Sequence, residues 1–255
     1  MKLTHLFYIL AAICIASCDS GDIVDKAYTV SESGRTIKVT GKVSGLSEWE
    51  STGYVLAVSG FTPNNKFAVV QRALPISAEK ELPISLILSN LSNEIETVEL
   101  ALTNSLRKRV ISLAVIDMAD HKDISAKDTI RFDIGTLDVG RFGVLQAGLF
   151  NRACIQCHGE NGRAAAGLDL TESRAKEALV DVPSTCEEGF LRVASGSAEN
   201  SLLHLILNEG GENLLSYNHR EILSSQFKTN FAEIADLVDQ WIELLTPQSH
   251  SPKGR

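Results

Sequence analysis

The sequence predicts two domains of different class, an all-β domain followed by an all-α domain. From about residue 28 to residue 138, short runs of alternating apolar and polar residues are separated by turn residues, which is typical of strands. From about residue 139 to residue 247, apolar residues recur every three or four positions, which is typical of amphipathic helices. The change of period near Val139 therefore predicts the boundary between the domains.

Seven strand-like runs make up the predicted β domain, residues 28–138. Seven short strands in about a hundred residues predict an antiparallel immunoglobulin-like sandwich. The Cys–Trp–Cys spacing of antibody domains does not occur in the sequence, so this analogy concerns architecture only. Trp49 is expected either to pack within the domain or to lie on a binding face. The charged segment 117–123 is expected to be a solvated turn rather than a cation site. The runs are residues 36–40, 54–58, 67–70, 84–88, 97–102, 109–115 and 129–134.

Three helical segments are predicted in residues 139–247. The first covers residues 142–153 and leads into Cys154. The second begins at a Ser197 cap, carries apolar residues at 202, 203, 205 and 206 and ends at glycines 210 and 211. The last begins at Asn230 with Glu233 in a capping box, and Pro247 ends it. The polar residues 248–255 are predicted to be a disordered tail.

Residues 1–17 are predicted to be a lipoprotein signal peptide. A positive residue, Lys2, precedes a short apolar run that ends in Ala16, Ser17 and Cys18, and this order resembles a bacterial lipobox. Cys18 is then the lipid-attachment residue, and residues 18–27 form a polar tether. The prediction is a lipid-anchored protein of the cell envelope, in the outer membrane, on its periplasmic face or the cell surface. A plain signal peptide with an ordinary Cys18 is the alternative.

The charge of the chain excludes one class of partner. The formal net charge is -8, and nucleic-acid binding requires a basic surface. After the signal peptide, no apolar run approaches the length of roughly 20 residues that a membrane helix needs. The membrane is therefore expected to be reached through the lipid anchor alone.

The run Cys154-Ile155-Gln156-Cys157-His158 carries the main functional signal. C-x-x-C-H is the attachment pattern of c-type haem, in which both cysteines form thioethers and the histidine is the proximal iron ligand. A structural zinc site needs four ligands, and the sequence has no second cysteine pair to complete one. A thioredoxin-like redox pair needs a β-α-β setting that this region lacks. Cys186 is left over and is expected to be a buried small residue, an intermolecular bridge or a neighbour of the haem.

This half of the sequence resembles the small monohaem cytochrome c domains of secreted and membrane-anchored bacterial proteins. The resemblance runs from the helix before Cys154 to about residue 245. It implies a cytochrome c-like all-α fold in residues 139–247, one covalent haem c, and attachment outside the cytoplasm, which agrees with export. The matching segments, in the order of the family, are residues 154–159, 167–170, 192–196, 201–203 and 241–242.

One departure from the family concerns the distal side of the iron. The loop 210–220 contains no methionine, and the only methionine after the signal peptide is Met118. His219 is the tentative distal ligand, because it lies in this loop and imidazole suits iron. The alternatives are His204, a water molecule, and four further residues: Tyr217, Lys228, Met118 and His121. Arg192 and Arg163 are candidates to pair with the haem propionates, and solvated arginines are the equal alternative.

The leading functional prediction is an electron carrier rather than an enzyme. A membrane-anchored monohaem cytochrome would transfer single electrons between redox partner proteins, or to an external acceptor, outside the cytoplasm. The alternative is an anchored module that binds a glycan or a protein, with a haem domain that is a redox or small-ligand sensor or is structural. A haem peroxidase is disfavoured, because the sequence offers no recognisable acid–base set.

Overall fold

The computed structural model describes residues 34–125, 128–159, 164–208, 210–211 and 214–247. The predicted signal peptide, the lipid-attachment residue Cys18, the tether and the tail 248–255 therefore lie outside the described residues. All described residues belong to one compact unit. Among them, no helix combines the length and apolar character needed to cross a bilayer.

In the part of the chain that the structure describes, seven strands form two sheets. The smaller sheet has the order β4-β1-β7 and the larger sheet the order β3-β2-β5-β6. All neighbouring strands are antiparallel except β1 and β7, which run parallel, so the expectation of a purely antiparallel sandwich is wrong at this pair. The strands are β1 (Arg35–Ser44), β2 (Tyr54–Phe61), β3 (Val70–Ala73), β4 (Leu82–Leu91), β5 (Thr97–Asn104), β6 (Arg109–Asp117) and β7 (Thr129–Asp138).

Alternation along the strands explains how the two sheets bury apolar residues. In β1, Ile37, Val39 and Val43 are buried while residues between them are partly exposed, which is the period of two expected for a strand with one covered face. The sequence run 67–70 reaches a strand only at Val70, since β3 begins there. Trp49 is 1% exposed and donates a hydrogen bond from Nε1 to the Val139 carbonyl oxygen at 2.6 Å, so it is a packing residue.

After β7, the described residues form five α-helices, the longest of 13 residues. Three 3₁₀ turns, at Cys154–Gln156, Ala165–Gly167 and Lys228–Asn230, and isolated bridges connect them. The predicted all-α cytochrome c-like domain is therefore wrong, because short helices alternate here with long irregular segments. The helices are α1 (Arg141–Leu145, continued by a π-helical turn at Gln146–Phe150), α2 (Ala175–Leu179), α3 (Leu202–Leu207), α4 (His219–Phe227) and α5 (Phe231–Glu243).

The prediction of two separate domain folds is wrong for a physical reason: the helical region buries apolar surface against the larger sheet. One continuous cluster of buried residues includes Ile111 of β6, Leu149 of the π-helical turn and Trp241 of α5. Gly148 approaches β6 so closely that an added Cβ would lie 2.4 Å from Ile111 Cγ1. The helical region thus packs against the edge strand β6, and Asn230 and Arg152 donate hydrogen bonds to two of its backbone carbonyl oxygens, those of Val110 and Ser112.

Two predicted helix caps differ from the structure, and polar contacts across this junction explain the first. Asn230 precedes α5 but makes no side-chain cap; its Nδ2 donates instead to the Val110 carbonyl oxygen of β6 at 2.9 Å. Glu233, the expected partner in a capping box, forms an ion pair with Lys108, the residue before β6. Long-range contacts therefore replace the local cap of α5. At the second helix, Ser201, rather than Ser197, immediately precedes α3.

Candidate functional site

The C-x-x-C-H segment forms one tight turn. The N–H groups of Cys157 and His158 both donate to the Cys154 carbonyl oxygen, at 3.1 and 2.9 Å. Gly159 follows at a position where an added Cβ would lie 2.3 Å from the Ile155 carbonyl oxygen, so a side chain there would force the turn open. The spacing of the motif therefore places two thiols and an imidazole on a single helical turn.

The two thiols of the turn differ in environment. Cys154 is partly buried against the apolar core, and this burial, with a smaller effect of Cys157, raises its pKa from 9.0 to about 12. Cys157 is exposed, and both cysteines are free thiols. One sulfur thus lies at the core side and the other at the solvent side of the turn. Cys186 is exposed as well, so the expectation that it is buried is wrong.

His158 is oriented by a backbone acceptor. Its Nδ1 lies 3.0 Å from the Ala165 carbonyl oxygen, and since a carbonyl only accepts, Nδ1 carries the proton and Nε2 keeps its lone pair. Burial lowers the pKa of His158, and the neighbouring His219 and Arg192 lower it further, against the opposing effects of backbone hydrogen bonds at Ala165 and Leu168. The neutral imidazole is the form that binds a metal ion.

The segment that supplies this acceptor is held from two sides. Arg192 donates from Nη2 to the Ala166 carbonyl oxygen at 3.1 Å and from Nη1 to the Ala178 carbonyl oxygen at 2.9 Å. Thr185 Oγ1 donates to the same Ala166 oxygen at 2.8 Å. Arg192 therefore braces the backbone beside His158. Arg163, the other arginine predicted near propionates, lies outside the described residues.

His219 is the first residue of α4, and Asn218 caps this helix by accepting from the Glu221 N–H at 3.0 Å. The Nδ1 atom of His219 lies 3.0 Å from the Tyr217 carbonyl oxygen, so its Nε2 also keeps a free lone pair. The His158 and His219 ring centroids are 6.2 Å apart, and the ring planes differ by 22°. The structure thus brings together two histidines that are far apart in the sequence.

The other candidate distal ligands lie elsewhere. His204 Nδ1 is bonded to Asp239 Oδ1 at 2.7 Å. Met118 is 5% exposed in the β region, and His121 lies in the same 3₁₀ helix as Met118. Tyr217 orients His219 through its backbone carbonyl. Lys228 follows the C-terminal end of α4, about 13 Å along the helix from His219 at 1.5 Å per residue.

The residues present fit a covalently attached haem: Cys154 and Cys157 would hold it, and His158 and His219 would supply nitrogen ligands to its iron. Each of the two imidazoles has Nδ1 on a backbone carbonyl, so each would offer Nε2 to the iron. Ile222, one turn after His219 on the same helix face, is 52% exposed, and a flat apolar macrocycle beside His219 would cover such a residue.

A zinc site is not supported by the same residues. Nowhere in the described ranges do three or more His, Cys, Asp or Glu side chains form a group able to hold a metal ion. A closed zinc site needs four such ligands. Haem iron needs only two from the protein, because the porphyrin supplies the others. The site therefore has the right number of donors for haem and too few for zinc.

Two groups that orient the site have no signal in the sequence, because they are the backbone carbonyls of Ala165 and Tyr217. The sequence makes Arg192 a candidate partner of the haem propionates, whereas in the structure its guanidinium donates to the Ala166 and Ala178 carbonyl oxygens. No family model, curated protein or solved structure matches this chain. The case for the site therefore depends on the motif and on the geometry of its residues.

Proposed function

We propose that this protein holds one haem c and transfers single electrons between redox partners outside the cytoplasm. Cys154 and Cys157 would form the thioethers, and His158 and His219 would be ligands of the iron. The observation that carries the proposal is the pair of imidazoles, those of His158 and His219, whose ring centroids lie 6.2 Å apart and whose Nδ1 atoms each lie on a backbone carbonyl. When bound, haem supplies one-electron chemistry between Fe(III) and Fe(II).

The residues of the chain support electron transfer rather than bond chemistry. The Ala165 and Tyr217 carbonyls orient the two imidazoles, and second-shell contacts of this kind hold a ligand in one tautomer and one orientation. With both histidines as its ligands, the iron would have no position left for a substrate or a small ligand. Arg192 braces the segment that carries the Ala165 carbonyl. Such a site would suit an electron carrier.

The sequence also supports a cellular location and a class of partner for the proposed electron carrier. The signal sequence and Cys18 support export and lipid attachment at the cell envelope. A single C-x-x-C-H motif supports one haem, so electrons would arrive from one redox partner and leave to another or to an external acceptor. Histidine in place of methionine supports a lower reduction potential than that of a Met/His cytochrome.

The first experiment tests covalent attachment. The full chain is produced in a bacterial host that matures c-type cytochromes, and the pyridine haemochrome spectrum and the intact mass are measured. We expect the c-type spectrum and a mass increase of one haem, both lost when Cys154 and Cys157 are replaced by alanine. A chain that emerges from this host without covalent haem would overturn the proposal.

The second experiment tests the axial pair. His219→Ala should convert a low-spin spectrum to a high-spin one, and added imidazole should restore the low-spin form. His121→Ala is the matched control, because His121 lies in a 3₁₀ helix of the β region, and its spectrum should not change. A low-spin spectrum that survives in His219→Ala would remove His219 as ligand. Rapid carbon monoxide binding by the unmodified protein would instead favour a sensor.

A further inference from the structure

A cavity lies at the junction of the β and helical regions, and neither His158 nor His219 lines it. Its volume is about 440 Å³, within the usual range for small-molecule sites. Strands β5 and β6 form one wall, the turn at Asn64 and Asn65 another, and the connection between α4 and α5 a third. The fourth side is Arg152, two residues before the first cysteine of the motif.

The charge of this cavity is opposite to that of the chain. Three cationic side chains line it, those of Arg109, Arg152 and Lys228, against one carboxylate, that of Glu99. Glu99 is 3% exposed and fully engaged: it accepts from Arg109 Nη1 at 2.6 Å, from Thr97 Oγ1 at 2.7 Å and from Ser112 Oγ. Glu99 therefore neutralises Arg109, and two positive charges remain on a protein of net charge -8.

The two remaining cations keep donors for a ligand. The guanidinium of Arg152 has one described hydrogen bond, from Nη1 to the Ser112 carbonyl oxygen at 3.2 Å, which holds the side chain and leaves most of its five N–H donors. Lys228 has φ 45° and ψ -98°, a conformation that non-glycine residues rarely adopt. Strained residues of this kind are concentrated at ligand sites.

The neutral groups of the cavity add donors and one aromatic ring. Asn230 is fixed by its hydrogen bond to the Val110 carbonyl oxygen, and Gln226 by its hydrogen bond to the Arg152 carbonyl oxygen at 3.0 Å. Phe227 supplies an apolar surface beside them. A few fixed polar groups with an aromatic side chain are typical of sites for small organic ligands.

We propose that this cavity binds a small organic molecule with two or more carboxylate or phosphate groups. Arg152 and Lys228 bind separate anionic groups, and the amides and Phe227 contact the body of the molecule. The volume exceeds what a simple inorganic anion fills, and the excess positive charge disfavours a neutral sugar. The site is formed by protein side chains alone and does not depend on the proposed haem function.

The test is calorimetric titration of the full-length mature protein with citrate, 2,3-bisphosphoglycerate, sulfate and glucose at matched ionic strength. We expect citrate or the bisphosphate to bind, and sulfate and glucose to bind far more weakly. Tighter binding of citrate would indicate a ligand with carboxylate groups, and tighter binding of the bisphosphate a ligand with phosphate groups. Absence of binding by both at millimolar concentration, or equal binding of sulfate, would overturn the proposal.

Arg152→Gln and Lys228→Gln should each weaken binding by about tenfold, as expected for a lost hydrogen bond between charged groups. Arg72→Gln is the matched control for Arg152, since Arg72 also gives one Nη1 hydrogen bond to a carbonyl oxygen, that of Ile87 at 3.1 Å, outside the cavity. Lys80→Gln is the control for Lys228. Melting temperatures without ligand verify folding, and equal weakening in cavity and control variants would contradict the site. Because the readout is heat of binding, a failure of haem attachment leaves this test intact.

Discussion

The contact between Gly148 and Ile111 provides a direct test of the shared core. Gly148→Ala adds a Cβ that would lie 2.4 Å from Ile111 Cγ1, 2.5 Å from its Cδ1 and 3.1 Å from the Ser112 carbonyl oxygen. Carbon atoms in contact are normally about 3.5–4.0 Å apart. Ile111 is 1% exposed and has no open space to enter. The helical turn and β6 must therefore separate, or Ile111 must leave its rotamer.

The expected cost follows from two opposing effects. Overpacking a core costs about 1–3 kcal/mol, whereas replacing glycine by alanine in a helical segment gains about 0.5–1 kcal/mol. The net loss in free energy of unfolding is about 1 kcal/mol, which for a chain of this size corresponds to a melting temperature lower by about 2–4 °C. Urea unfolding, analysed by linear extrapolation, measures it.

A double-mutant cycle makes this prediction specific. Ile111→Val alone should cost about 0.5–1.5 kcal/mol, but less in the Gly148→Ala background, because the Cδ1 atom that meets the new methyl group is gone. Ile116→Val is the matched control, since Ile116 is a buried residue of the same strand beyond contact distance, and its cost should add independently. If Gly148→Ala is as stable as the unmodified protein, or if the two substitutions simply add, the close packing of this junction is refuted.

Three other predictions follow from the same structure. Trp49 lies before β2 and Trp241 in α5, so single-tryptophan variants (Trp49→Phe and Trp241→Phe) should report the same urea midpoint if both regions unfold as one unit; separate midpoints would contradict the shared core. Asn230→Ala should lower the free energy of unfolding by about 1–3 kcal/mol, because the buried Val110 carbonyl loses its donor, whereas Asn200→Ala should have little effect. In the haem-free chain, alkylation at pH 8 followed by mass spectrometry should modify Cys157 long before Cys154, since a thiol with pKa about 12 is about one part in ten thousand thiolate at that pH. Equal alkylation of both cysteines would argue against burial of Cys154. The raised pKa of Cys154 has a second consequence: the contribution of this thiol to stability is fully present below pH 9.0 and is lost as the pH rises towards about 12.

The sequence predicted the positions of most elements well, because their signals are local. Alternation in residues 36–40 marks the centre of β1, and the apolar stripe after Asn230 marks α5 almost to its ends. Periodicity states which face of an element is buried but not what covers it. The stripe of α5 was therefore assigned to a separate helical domain, whereas it packs in a core that continues into the larger sheet.

The candidate site also has one part that local sequence predicts and another part that it does not. The turn that holds Cys154, Cys157 and His158 is a local structure, and its chemistry can be predicted from the motif alone. His219 was one of several candidates in the sequence, and its role as an iron ligand stays a prediction. Its position opposite His158 depends on where α4 begins and on the Tyr217 carbonyl, neither of which has a signature in residue types.

The sequence by itself determined the acidic character of the chain, which is a matter of composition, and most of the elements and the C-x-x-C-H motif, because these depend on residues close together along the chain. Only the tertiary structure decided the parallel pairing of β1 with β7, the covering of β6 by the helices and the facing of two distant histidines. Such contacts join segments that are far apart in the sequence, and no periodic pattern of residues predicts which segments will meet. They are selected by the burial of apolar surface and the pairing of polar groups over the whole molecule.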